Sequence, residues 1–385
     1  MDSRQAHRTT GTTVRTPSAR LAWLLPAGIA LLAGLDAGLL LLGLPAPVTT
    51  SRLPQVHGVL LGVGFFGTLI SLERATALGR WYGYAAPALL GLGGIALLVD
   101  MLPLTIAKMC LVVGAAGFML LYVPLWRRQL DAATLTQLLG AGLALAGTII
   151  WIGQDGFKPV VPWLIGFLAL TIAAERVELA RITMGPRAAT IILAAGWAIT
   201  ATLVIGSVLP DVGAVLLGVT LLAMVAWLIR HDIARRTIRS RGATRYMATC
   251  ILAGYIWLAI AAVVLLFGDP TTQPAYDAVV HAVFLGYAFS MILAHATTIL
   301  PAVLHIDLPY RGIFWAPAAL LHLSLVVRIG VGDAFGVRSA WQLGGALGVA
   351  ALLLFAVFAV GSALVSPAKK PAAVRASEST GAERA

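Results

Sequence analysis

Charged side chains are scarce in this sequence. Asp, Glu, Lys and Arg make up only 11% of the 385 residues, whereas hydrophobic residues make up 59%. A water-soluble core cannot hide that much apolar surface, and about 20 consecutive apolar residues are enough to cross a bilayer. The composition therefore excludes a soluble globular domain and predicts a polytopic membrane protein.

Cysteine is also nearly absent. The two cysteines, Cys110 and Cys250, lie inside apolar runs and lack CxxC spacing, so we interpret them as inert core residues. The first apolar run is too long for a cleavable signal peptide, and no small-residue cleavage site follows it. The sequence contains no hydrolase or kinase motif either.

What the sequence does contain is apolar runs of membrane-spanning length. We count twelve, at 21–44, 55–73, 82–100, 103–125, 135–153, 160–180, 189–208, 210–229, 246–268, 277–300, 312–331 and 338–365. They predict an all-α fold of twelve transmembrane helices over residues 21–365. The polar segments 1–20 and 366–385 are predicted to be disordered cytoplasmic tails.

The basic residues are distributed unevenly between the predicted loops. If the N-terminus is inside, 22 of the 27 Lys and Arg residues fall in inside loops or tails. The positive-inside rule then places both termini in the cytoplasm and the protein in the inner (plasma) membrane. Because these residues sit in short loops, the net charge of +11 indicates orientation and contact with the lipid bilayer, not nucleic-acid binding.

The second, sixth and tenth runs share sequence motifs and look like three copies of one helix. Glu73-Arg74 recurs as Glu175-Arg176, 102 residues later. His57-x-x-x-x-Gly62 recurs as His281-x-x-x-x-Gly286, 224 residues later. Both intervals are close to the length of four helices with their loops, or a multiple of it. The repeat predicts three pseudo-repeated four-helix units of one orientation around an axis along the membrane normal.

The repeated histidines are the leading candidates for a cofactor site. His57 and His281 are predicted at one depth near the outer ends of their helices, where two neutral imidazoles can fill both axial positions of a haem iron. A porphyrin is flat and apolar and fits between helices. Its propionates would pair with cations near the outer face, for which the candidates are Arg52, Lys158, Arg328 and Arg338. The ordinary alternative for each histidine is a hydrogen bond to a carbonyl, and the sixth run carries Pro159 in place of the ligand.

Three further residues inside spans are candidates with open roles. His295 and His322 would either ligate a second metal or haem, or bond a neighbouring helix. Asp36 would carry a proton or anchor a histidine ring N–H, because an ionisable residue inside a span is expensive. Glu73-Arg74 and Glu175-Arg176 are expected to be interfacial ion pairs, with a transport pathway as the alternative.

Twelve helices in three arcs, with histidines near the outer ends of helices 2 and 10, resemble subunit I of the haem–copper oxidases. The resemblance implies that His57 and His281 hold a low-spin haem. The segment His281-Ala-Val-Phe-Leu-Gly286-Tyr-Ala-Phe-Ser-Met is also similar to a helix of NnrS-type haem- and copper-containing membrane proteins. Runs 160–180 and 189–208 contain no histidine, run 160–180 contains no tyrosine, and the paired His motif of NnrS proteins is missing around His57. A binuclear oxygen- or nitric-oxide-reducing centre is therefore not expected.

The leading hypothesis is a haem-binding membrane protein without a complete catalytic centre. It would pass electrons to or from a redox protein, sense a gas, or support a nitrogen-oxide response; copper has no ligand set of its own in the sequence. The alternatives are a small-molecule or ion transporter and a structural subunit of a respiratory complex. A transporter is expected to contain helices broken near mid-membrane, whereas Pro26, Pro87, Pro124 and Pro301 lie near the ends of runs. The sequence does not set the oligomeric state.

Overall fold

The computed structural model describes residues 19–304 and 306–365. The predicted tails lie outside these residues, apart from Ala19 and Arg20, which belong to a 3-10 turn at Ala19–Leu24. Within the described ranges all regular structure is helical and there is no strand. The all-α prediction is confirmed for this part of the chain.

In the part of the chain that the structure describes, eleven helices are long and apolar enough to cross a membrane, so the chain is a multi-pass membrane protein. They are α1 (Ala22–Leu41), α2 (Leu53–Leu78), α4 (Leu104–Gln129), α5 (Ala132–Ile152), α6 (Lys158–Leu179), α7 (Ala188–Val208), α8 (Pro210–His231), α9 (Gly242–Phe267), α10 (Gln273–Leu304), α11 (Gly312–Asp333) and α12 (Arg338–Leu364).

The predicted run 82–100 forms a shorter helix, α3 (Ala85–Ala96), which follows a 3-10 turn at Trp81–Tyr84. The last residues of the run, from Leu97, form a turn. The carbonyls of Val99, Asp100 and Leu102 in this turn accept hydrogen bonds from the Arg52 guanidinium just before α2.

The flanking helices α2 and α4 run parallel with their ends matched. Arg52 joins the start of α2 to the turn before α4, and Arg128 Nη2 donates to the Leu78 carbonyl, 3.0 Å away, where both helices end. The segment that contains α3 therefore returns from one end of α2 to the other.

Three helices form the centre of the bundle. The apolar segments of α2, α6 and α10 are 72%, 83% and 78% buried, whereas those of the other eight spanning helices are 28–50% buried. These are the three helices that carry the sequence repeat, so the repeat marks the helices that pack against protein, and the remaining helices present apolar side chains outward to lipid.

The packing partners recur every four helices. α1 packs on α2 and α3, α5 on α6 and α7, and α9 on α10 and α11. The next contacts are α3 with α4, α7 with α8, and α11 with α12. The contacts of α4 with α5, α8 with α9, and α12 with α1 close a ring around the three central helices.

Two central helices change their winding next to their histidines. Leu60–Phe65 in α2 and Ala282–Phe289 in α10 are π-helical, and a third π segment lies at Val326–Asp333 in α11. π segments inside α-helices occur frequently at functional sites. The hydropathy pattern and the repeat did not predict these π-helical segments.

Candidate functional site

His57 lies in the first turns of α2, where Pro54 supports the helix start because its missing N–H needs no partner. Its Nδ1 is 2.8 Å from the Gly34 carbonyl oxygen of α1. A carbonyl only accepts hydrogen bonds, so Nδ1 carries the ring proton and the Nε2 lone pair is left for a ligand. Gly38 leaves room for the ring, since a Cβ there would lie 3.3 Å from His57 Cε1.

His281 lies at the junction of the α-helical and π-helical parts of α10. Its Nδ1 is 2.9 Å from the Asp277 carbonyl oxygen one turn earlier, and 3.4 Å from the Asp277 carboxylate Oδ1. Because the Asp277 carbonyl can only accept, Nδ1 of His281 carries the ring proton and Nε2 is available as a ligand atom. Both histidines thus have the tautomer and the backbone anchor that are usual for metal-bound imidazoles.

The two histidines line one cavity, which we call the histidine cavity. It has a volume of about 380 Å³ and lies between α1, α2, α10, α11, α12 and the start of α6. This volume lies within the range of ligand-binding pockets, roughly 300–1,000 Å³. Its walls are mostly apolar and include Leu35, Leu61, Phe284, Leu285, Val349 and Leu352.

Two of the four predicted propionate partners, Lys158 and Arg328, line the histidine cavity. Arg328 donates from Nε and Nη2 to the two oxygens of Asp277, both at 2.8 Å, and stacks 5.1 Å from the ring centroid of Trp341. Lys158 Nζ lies 5.0 Å above the Tyr276 ring and has no carboxylate partner among the described residues. Among the described residues, the cavity is therefore lined by one cation that is paired with a carboxylate, Arg328, and one that is not, Lys158.

The other two predicted partners do not line this cavity. Arg52 is engaged with the turn before α4, where it also contacts the Asp100 carboxylate at 3.5 Å. Arg338 begins α12 and is not part of the lining either.

His295 lines a different cavity, of about 90 Å³, on the axis between α2, α6 and α10. Its Nδ1 is 2.9 Å from the Met291 carbonyl, and its Nε2 accepts from Arg176 Nη1 at 3.0 Å. Both ring nitrogens are thus occupied. Glu73 and Glu175 line the same cavity, which we call the axial cavity because it lies between the three central helices. Glu73 pairs with Arg74, whereas Glu175 makes no hydrogen bond within the described residues.

His322 of α11 bonds a neighbouring helix. Its Nδ1 accepts from the indole Nε1 of Trp257 in α9, 3.0 Å away. Its Nε2 is buried without a partner in the described part of the chain, and the residue does not line the histidine cavity.

Asp36 does not anchor a histidine, although it lies between Gly34 and Gly38 on α1. Its Oδ1 accepts from the Val48 backbone N–H at 3.3 Å, and its Oδ2 has no partner within the described ranges. The neighbouring Gly34 carbonyl contacts the His57 ring instead, with its oxygen 2.8 Å from Nδ1.

Sequence reasoning missed Asp277 and Trp341. Asp277 is buried, pairs with Arg328, and accepts from Trp341 Nε1 at 3.2 Å. A signal was present, since Asp277 is an ionisable residue four positions before His281 on a predicted span. Trp341 gives no such signal, because tryptophan is common near membrane interfaces.

Clusters of three or more His, Cys, Asp or Glu that could hold a metal ion are absent from residues 19–304 and 306–365. A site with two histidines suits haem in particular, because the porphyrin brings four nitrogens of its own and needs only axial ligands. The described residues offer no comparable ligand set for copper.

Fold and cavity together define a multi-pass helical membrane protein with a ligand-sized, histidine-lined cavity. The chain belongs to the family described as "Domain of unknown function (DUF8744)", which it matches over residues 20–364. A comparison with curated proteins finds no match for this chain.

Proposed function

We propose that the protein binds one haem in the histidine cavity and uses it for electron transfer. The observation that carries the proposal is that His57 and His281, on two helices of the repeat, line the same cavity with Nδ1 held by a carbonyl and Nε2 unused.

The donor set and the walls fit the group. His57 and His281 would hold the iron, the apolar walls would cover the macrocycle, and the cations that line the cavity, Lys158 and the Asp277-paired Arg328, would lie near the propionates. A bound haem supplies a one-electron centre. With two histidines to hold the iron, the site would favour electron transfer over binding of a gas, and a redox protein at the outer end is the expected partner.

We further propose that the chain crosses the membrane twelve times in three four-helix units. The matched ends of α2 and α4 support a crossing by the segment of α3, and the packing order that recurs every four helices supports the units. The unequal distribution of Lys and Arg supports cytoplasmic termini in the inner (plasma) membrane, which puts the histidine cavity near the outer face. Relationship to the haem–copper oxidases or NnrS proteins remains a prediction.

The test is a reduced-minus-oxidised visible spectrum of protein purified from haem-replete cells. Wild type should show a low-spin haem spectrum, and His57→Ala and His281→Ala should each abolish it, because one axial ligand is lost. His295→Ala and His322→Ala are matched controls on α10 and α11 that should keep it. The proposal is refuted if wild-type protein carries no haem under any growth condition. It is also refuted if His57→Ala and His281→Ala each keep the low-spin spectrum.

Cation transport is the second candidate, and the axial cavity is the observation that favours it. Glu175 faces this cavity between the three central helices without a hydrogen-bonding partner in the described residues. Haem-free protein reconstituted in vesicles would then move a monovalent cation or protons, and Glu175→Gln would stop this flux. A flux that is the same in both proteins would leave this candidate without support.

A further inference from the structure

We infer that Asp277 is a positioning residue that lowers the midpoint potential of the haem, by placing a buried negative charge beside His281. This inference rests on the proposed function and concerns the regulation of the same site. It follows from a difference between the two histidine ligands.

The two imidazoles have unequal surroundings. His57 Nδ1 donates only to a neutral peptide carbonyl, that of Gly34. His281 Nδ1 donates to the Asp277 carbonyl and also has the Asp277 carboxylate oxygen Oδ1 3.4 Å away. A carboxylate next to the N–H of a metal-bound imidazole makes the coordinating nitrogen more basic. A more basic ligand stabilises ferric over ferrous iron, so the potential falls.

The carboxylate is held firmly at this place. Oδ1 accepts from Arg328 Nη2 and Oδ2 from Arg328 Nε, and the Trp341 indole N–H donates to Oδ2. These three donors come from α11 and α12, so the position of Asp277 is set by helices that carry no ligand. The same atom, Oδ1, contacts both Arg328 and His281, which makes the carboxylate a bridge between the cation and the ligand ring.

Because it is buried, the Asp277 carboxylate can shift the midpoint potential of the haem. Asp277 and Arg328 are only 6% and 7% exposed. Charges in such an environment are weakly screened compared with charges in water. The positive charge of Arg328 opposes that of Asp277 at longer range, but only Asp277 reaches the ring. Removing the carboxylate and removing the guanidinium should therefore shift the potential in opposite directions.

The experiment is a potentiometric titration of the purified holoprotein, with the haem content of each variant measured beside it. Asp277→Asn should raise the midpoint potential, and the reduced-to-oxidised ratio at the wild-type midpoint should rise roughly tenfold, which is about 59 mV for one electron. Arg328→Gln should lower the potential. Asp100→Asn, on the turn before α4, is the control and should leave it unchanged.

The double variant Asp277→Asn with Arg328→Gln separates ligand tuning from net charge. It removes both charges of the ion pair, so Arg328 is not left buried without its counter-ion, as it would be in Asp277→Asn alone. Its midpoint should stay above that of wild type, because His281 still lacks its carboxylate. A return to the wild-type value, or an unshifted Asp277→Asn protein with normal haem content, overturns the inference and leaves the haem proposal standing. Wild-type protein without haem refutes the proposed function itself.

Discussion

Arg176 of α6 and Asp232, in the connection between α8 and α9, form an ion pair with two hydrogen bonds of 3.0 and 2.8 Å. Both residues are buried. Asp232 also accepts from the Tyr255 hydroxyl at 2.7 Å and from the Ala234 backbone N–H at 2.9 Å. Because Arg176 donates to His295 as well, one guanidinium connects α6, α10 and the α8–α9 connection at the end of the bundle opposite the histidine cavity.

Asp232→Asn should strongly destabilise the protein. The substitution leaves the Arg176 charge buried without its counter-ion, and breaking a buried pair in this way typically costs about 3–5 kcal/mol. Thermal unfolding in detergent, followed by circular dichroism, measures the loss. Asp211→Asn at the exposed start of α8 is the matched control and should change stability by no more than about 0.5 kcal/mol. Equal unfolding temperatures for the two variants would contradict a role for the pair.

The same pair predicts an acid limit of stability. Burial favours the neutral form of Asp232, but the hydrogen bonds from Arg176 outweigh it and hold the pKa of Asp232 below its usual value of 3.8. A carboxylate with a lowered folded-state pKa stabilises the fold above the unfolded-state pKa, and this contribution is lost as the pH falls through the folded-state pKa.

We therefore expect the unfolding temperature of wild type to decrease as the pH is lowered below about 4. In Asp232→Asn this dependence should be weaker, because the titrating group is gone. Parallel curves for the two proteins between pH 6 and pH 3 would show that Asp232 does not carry the effect.

Much of the fold follows from the sequence because lipid imposes simple rules. Among the described residues, eleven of the twelve predicted runs form helices long and apolar enough to cross a membrane, since an apolar run in a bilayer has few alternatives to a helix. The boundaries of run 82–100 were wrong, because hydropathy does not distinguish the helix Ala85–Ala96 from the apolar turn that follows it, whose carbonyls Arg52 bonds.

The candidate site was predictable only in part. The repeat identified His57 and His281, since it put them at matching positions on two helices that both pack in the centre of the bundle. It could not reveal the Asp277–Arg328 pair, which joins residues 51 positions apart on different helices. The sequence also could not predict that the Gly34 carbonyl bonds His57. Every residue has a carbonyl, and only the tertiary packing determines which one meets the ring.

The topology can be tested at the short helix α3. If the segment 79–103 crosses the membrane, a reporter placed after Arg80 should be cytoplasmic and one placed after Asp100 external. Alkaline phosphatase and fluorescent-protein fusions distinguish the two sides. Fusions after residues 130 and 240 should report cytoplasm and fusions after 156 and 272 the outside. The same side for residues 80 and 100 would leave eleven crossings and place the two termini on opposite sides.

Gly38→Ala should weaken haem binding without a large effect on the fold. The new methyl group would lie 3.3 Å from His57 Cε1, closer than most such contacts, so the imidazole must rotate or the helices α1 and α2 must separate. Either change moves Nε2 away from the position that it has in the histidine cavity. We expect the haem-to-protein ratio of the purified variant to fall several-fold while its helical content stays the same.

Gly28→Ala provides the matched control for this substitution. It lies on the same helix, ten residues before Gly38, and a Cβ there meets nothing within 4 Å. Alanine also has the higher helix propensity, by about 1 kcal/mol, so both variants gain the same intrinsic stabilisation. A difference in haem content between them therefore reports the methyl group at the wall of the histidine cavity, where Gly38 lies against His57. If both variants bind haem as wild type does, then the fit of the His57 ring against Gly38 does not govern the site.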